Sequence, residues 1–114
     1  MVRYHQKNMM DFEKQFNATL EELDTKLSAL IDTGEEFDVE RSGDVMKIVF
    51  EDGEQYIITP QSPTSQLWLS ANYAGHRFNW SDDVSDWTNE KTGERFTHAL
   101  SYLLGNKLNR AVEL

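Results

Sequence analysis

Apolar residues recur early in the chain as Phe12, Phe16, Leu20, Leu23, Leu27, Leu30 and Ile31, a three-and-four spacing that gathers them on one stripe of a helix. Asn8 or Asp11 can cap its start and Thr33-Gly34 offers a stop, so the spacing predicts a helix ending near Asp32. Glu21, Asp24 and Asp32 fall off the stripe and face water. After Gly34 the period drops to two: Glu36-Phe37-Asp38-Val39-Glu40 alternates acidic and apolar residues, as a half-buried strand does. Arg41-Ser42-Gly43-Asp44 then turns into Val45 to Phe50, and Glu51-Asp52-Gly53 turns into Gln55 to Thr59, which gives three consecutive antiparallel strands.

Pro60 and Pro63 are expected to bracket a loop, because proline is excluded from a central strand. Gln66 to Ala71 reads as a fourth strand with Leu67, Leu69 and Ala71 inward and Trp68 outward. Ala74-Gly75 is expected to reverse the chain into His76 to Trp80, with Asp86 to Asn89 as a sixth strand. Thr92-Gly93-Glu94 supplies turn chemistry and an acid for a first helical turn. The helix that follows carries Phe96, Leu100, Leu103 and Leu104 on one face, with Gly105-Asn106 as a stop or a packing point. The order helix, six strands, helix is not the alternation that builds a parallel sheet. It predicts an α+β, two-layer sandwich in which two helices cover one face of an antiparallel sheet of about five to six strands and the other face is open for binding.

Length changes this picture only by fixing one domain, residues 1–114, with 1–8 expected to be a flexible N-terminus. Charge changes it more. Residues 1–54 hold fourteen acids and six bases, whereas residues 55–114 hold six and five, so half the chain makes nearly all of the net charge of −9. Such a surface disfavours nucleic acid and favours cations or basic proteins. The chain has no Cys, no nucleophile elbow, no Walker loop and no stretch apolar enough for a membrane span, so no enzyme is expected. The opening residues resemble neither a secretory signal nor a presequence, which makes a bacterial cytoplasmic protein the expectation.

Within the acidic half, Glu36, Asp38 and Glu40 project from one strand face about 6.6 Å apart, with Asp32 and Glu35 close by and Asp24 two turns back. Their spacing lies inside a Debye length of about 8 Å, so their fields add. This ridge reads either as a face kept for solubility or as a surface for a hard cation held weakly, since no EF-hand pattern closes a cage. Trp68, among Gln61, Gln66 and Ser70, reads either as an exposed hot spot or as a core indole with a satisfied N–H; Arg77 on the next strand can share its surface.

These residues resemble the bacterial, CyaY-type branch of the frataxin family. The acidic first helix, the strand Glu36 to Glu40, the hairpin Val45 to Ile58 and above all Gln66-Leu67-Trp68-Leu69-Ser70 carry the likeness. Gly75, Arg77-Phe78-Asn79-Trp80, Trp87 and Thr92-Gly93-Glu94 extend it over about residues 11–105. The resemblance implies weak, exchangeable binding of iron (Fe2+ or Fe3+) by Asp24, Asp32, Glu35, Glu36, Asp38 and Glu40. It also implies docking on the cysteine desulfurase of iron–sulfur cluster assembly, and on the cluster scaffold protein, through Gln61, Trp68 and Arg77, by a regulatory monomer. Two departures bear on this: Thr25 to Ile31 carries Lys26 and no acid, and Thr59-Pro60 stands where relatives often carry an amide and a basic residue. A metal-independent acidic adaptor for a basic protein surface is the alternative, and an enzyme oxidising Fe2+ at the ridge ranks last.

Overall fold

The computed structural model describes residues 9–114; the candidate cap Asn8, His5 and the expected flexible segment 1–8 lie outside the described residues. The elements are α1 (Met9–Asp32), β1 (Phe37–Ser42), β2 (Val45–Phe50), β3 (Gln55–Gln61), a 3₁₀ turn over Ser62–Thr64, β4 (Gln66–Ala71), β5 (Ala74–Ser81), β6 (Asp86–Asn89) and α2 (Phe96–Leu108). The six strands pair in chain order, every neighbour antiparallel. The fold is the expected α+β sandwich: Met46, Ile48, Tyr56, Ile58, Leu67, Leu69, Phe78 and Trp87 from one sheet face join Phe12, Phe16, Leu20, Leu23 and Leu27 of α1 and Phe96, Leu100 and Leu104 of α2 in one core.

Asp11 lies inside the first turn of α1 and is not its cap. The helix closes in a Schellman motif, where Gly34 N–H donates to Ile31 C=O (2.9 Å) and Glu35 N–H donates to Leu30 C=O (3.2 Å). Gly34 takes φ = 106°, which a side chain would resist, and this turn delivers Glu35 and Glu36 next to the end of α1.

Trp87 is fully buried; its indole N–H donates to Thr19 Oγ1 (2.8 Å) and its ring meets Phe12, Phe16 and Trp80 edge-on at 5.9, 6.2 and 5.5 Å. Next to it, the buried Asp86 accepts from Thr97 N–H (3.3 Å) and Thr97 Oγ1 (2.7 Å), while Trp87 N–H donates to its other oxygen (2.7 Å). A strand residue thus caps α2, whose own N-cap Arg95 makes no side-chain cap. Glu94 precedes that cap, so the first turn of α2 holds no acid, contrary to expectation.

Two further expectations fail for local reasons. Pro60 does not begin a loop: it lies in β3, paired with Leu67, beyond Ile58 where the β2 ladder ends, so the strand has one neighbour there and its missing N–H is tolerated. The reversal after β4 is made by Asn72 and Tyr73, between paired Ala71 and Ala74, and Gly75 already lies within β5. Of the two roles expected for Gly105 the stop is not the one taken, since α2 runs on to Leu108. Gly105 is the packing point, since an added Cβ would lie 2.9 Å from the Arg110 carbonyl oxygen.

Candidate functional site

The Schellman turn and the alternation of β1 together build the acidic edge. Phe37 is buried and Val39 and Arg41 half-buried on the helix side, so Asp38 and Glu40 are turned to the helix-free side and are exposed, as are Glu36 and Asp32. None of these four carboxylates has a cation or hydrogen-bond partner among the described residues, and Lys47, directly across the sheet from Glu40, closes no ion pair with it. The last turn of α1 has no basic residue. The aligned peptide dipoles of α1 therefore add their negative end to the field of Asp32 and Glu36.

The other two predicted ridge residues are not left without counter-charge. Glu35, only 18% exposed, pairs with Arg110 from the segment after α2. Asp24 lies 3.9 Å from Arg41 Nη1, which also meets Glu21 at 3.4 Å on the helix side of β1. Neither pairing is legible along the chain, because Arg110 and Arg41 are far from their partners in sequence. A third cation closes the end of the edge: Lys107 Nζ binds Asp52 Oδ2 (2.6 Å) and Glu54 Oε1 (2.5 Å) and lies 5.2 Å from the Phe50 ring. Those contacts hold Asp52 below its ordinary carboxylate value and raise Lys107 above 10.5.

The helix-free face continues from this edge in cross-strand rows. Glu40, Lys47, Ile57, Ser70 and Gly75 form one; Thr59, Trp68 and Arg77 form the next; Gln61, Gln66 and Asn79 a third. Trp68 is half-buried yet outward, and the Arg77 guanidinium lies 4.7 Å from its ring centroid, a cation–π contact. The indole N–H is satisfied although the ring is outward, donating to Gln66 Oε1 (3.0 Å). Gln66 in turn donates through Nε2 to Glu90 Oε1 (2.9 Å) and Asn79 Oδ1 (3.3 Å), so a buried amide locks the indole's orientation. Missing from the sequence reading was Glu90, which lies 24 residues from Gln66. Trp68 and Arg77 border a concavity of about 430 Å3 with Ile57, Thr59, Ser70 and Gly75.

Chemically, the edge offers oxygen donors only, strung along a line. The described residues contain no group of three or more His, Asp or Glu placed to hold a metal ion. Such donors suit a hard cation held by one or two carboxylates that keeps most of its water.

A family model described as a frataxin-like domain matches residues 5–110. The chain belongs to the frataxin family. Two curated relatives of this frataxin-family chain are named iron–sulfur cluster assembly protein CyaY. The one from Janthinobacterium sp. is 35% identical over 100 residues, 85% of this chain and 87% of that one. The one from Pseudomonas fluorescens is 31% identical over 102 residues, 89% and 86%. Among solved structures, a frataxin from Psychromonas ingrahamii superimposes with a TM-score of 0.83 at 21% identity, covering 94% of this chain and 97% of that one. Trimeric frataxin from Saccharomyces cerevisiae, complexed with ferrous iron, gives 0.73 at 22% identity, covering 96% and 92%. These two structural likenesses concern the fold. No described helix is long and apolar enough to cross a membrane.

Proposed function

We propose that this protein works in iron–sulfur cluster assembly as a binding and regulatory subunit in a bacterial cytoplasm. In this reading it holds iron weakly and exchangeably on its acidic edge and docks on the cysteine desulfurase, with no catalytic chemistry of its own. The observation that carries it is the row Asp32, Glu36, Asp38 and Glu40, exposed and without cation partners at the negative end of α1. Membership of the frataxin family and relatives named for cluster assembly support it. Glu35 and Asp24, engaged by Arg110 and Arg41, join the edge only when those cations are displaced. The negative edge steers a basic partner surface, and Gln61, Trp68 and Arg77 on the adjoining face supply the short-range contact.

Binding of the purified desulfurase tests this. The triple variant Glu36→Lys, Asp38→Lys, Glu40→Lys should lose about tenfold or more in affinity while melting near the parent, and the parent's own affinity should fall as salt rises. Undiminished binding by the triple variant removes the edge from the mechanism.

One observation favours a second reading. Because the described residues gather no three-ligand cluster, the edge also suits a metal-independent adaptor that meets a basic protein directly. Desulfurase binding unaltered by iron, beside amide shifts that do not distinguish Fe2+ from Ca2+, selects that reading.

A further inference from the structure

A chain of hydrogen bonds crosses the helix-free face and ends on a residue beyond β6. Gln66, 8% exposed, accepts from the Trp68 indole N–H through Oε1 (3.0 Å) and donates through Nε2 to Glu90 Oε1 (2.9 Å) and Asn79 Oδ1 (3.3 Å). An amide can present either of its ends to a neighbour, so something must fix which one meets the indole. Asn79 is itself an amide and can turn in the same way. Glu90 cannot: an ionised carboxylate only accepts, so it draws Nε2 toward itself and leaves Oε1 for Trp68.

The backbone places Glu90 for this. Its N–H donates to the Arg77 carbonyl oxygen (2.9 Å), which continues the β5–β6 ladder one residue past the pair of Phe78 and Asn89. Asn89 Oδ1 accepts from the N–H groups of Lys91 (2.8 Å) and Thr92 (3.1 Å) and so fixes the turn that follows. Glu90 therefore stands directly across from Arg77 and extends the row of Thr59, Trp68 and Arg77. Opposite charges facing each other across a ladder ordinarily pair. Here no ion pair joins them: the Glu90 carboxylate turns to Gln66, and the Arg77 guanidinium lies over the Trp68 ring with no carboxylate partner among the described residues.

We propose that Glu90 is a positioning residue for the face made by Trp68 and Arg77. Acting through Gln66 it sets the orientation of the indole, and by bonding there rather than to Arg77 it leaves the guanidinium's donors free for an incoming partner. That this partner is the cysteine desulfurase rests on the function proposed above.

Glu90→Ala and Glu90→Gln test it in the full chain, each with a thermal melt, a spectrum of the indole N–H groups and a titration with purified cysteine desulfurase. In Glu90→Ala the Trp68 indole signal should move upfield, while that of Trp87, whose N–H is held by Thr19, stays in place. Affinity for the desulfurase should fall about threefold to tenfold in the folded variant. Glu90→Gln restores an acceptor oxygen and should return both the indole signal and the affinity toward the parent's. An alanine variant whose Trp68 signal stays at the parent's position overturns the relay. One whose signal moves while it binds the desulfurase as the parent does overturns the positioning role. A parent that ignores the desulfurase overturns the function proposed above, and the indole signals still decide whether Glu90 orients Trp68.

Discussion

Arg110, beyond the end of α2, closes an ion pair on Glu35, and that one contact divides the acidic junction of α1 and β1 into a neutralised carboxylate and a row without counter-charge. Removing the guanidinium in Arg110→Ala should cost about 0.2–1 kcal/mol, the value of a partly exposed ion pair. It should also tighten divalent-cation binding at the edge, because Glu35 joins the row. Urea denaturation reads the first effect and calcium titration the second; a variant that binds calcium no better than the parent contradicts it.

Asp32 stands in the last turn of α1, where the carbonyl ends already make a negative field and no basic residue answers it. Asp32→Asn should therefore stabilise the fold by about 0.3–1 kcal/mol while weakening cation binding. Stability and binding moving in opposite directions mark a charge retained for function. A destabilised variant would show that Asp32 has a structural role instead.

Asp86 is buried and accepts from Thr97 N–H, Thr97 Oγ1 and Trp87 N–H. Asp86→Ala leaves the α2 N-terminus uncapped and should cost about 1–3 kcal/mol. Because the site faces away from the acidic edge, desulfurase affinity of the folded variant should stay at the parent's level.

Lys107 gives the pH dependence a defined form. Asp52 has a folded value below 3.8, so its pairing contributes stability that is complete above that pH and lost as pH falls through the depressed value. Lys107 has a folded value above 10.5, so its contribution is complete below that pH and lost as pH rises through the elevated value. The Tm difference between the parent and Lys107→Met should accordingly be flat from about pH 5 to 9 and shrink at both extremes. A difference that changes near pH 7 would implicate another group.

Periodicity was enough to read α1, β1, β2, β4 and the core face of α2, because burial on one side imposes a period that local sequence must carry. Trp68 was readable as outward for the same reason: Leu67 and Leu69 beside it are buried. Pro60 was misread because its tolerance depends on where β2 ends, a property of a neighbouring strand. Tyr73 escaped notice because an Asn-Tyr pair carries none of the glycine signal of a two-residue hairpin. The partners of Glu35 and Asp24 were illegible for a plainer reason, since ion pairs between Arg110, Arg41 and the first helix depend on tertiary placement and leave no pattern along the chain.

An anaerobic Fe2+ titration followed at each backbone amide addresses the acidic edge itself. The account predicts that signals of Asp32, Glu36, Asp38 and Glu40 broaden first and together, with Glu35 and Asp24 lagging while Arg110 and Arg41 hold them. Broadening spread evenly over the surface, or absent from residues 32–40, would contradict it.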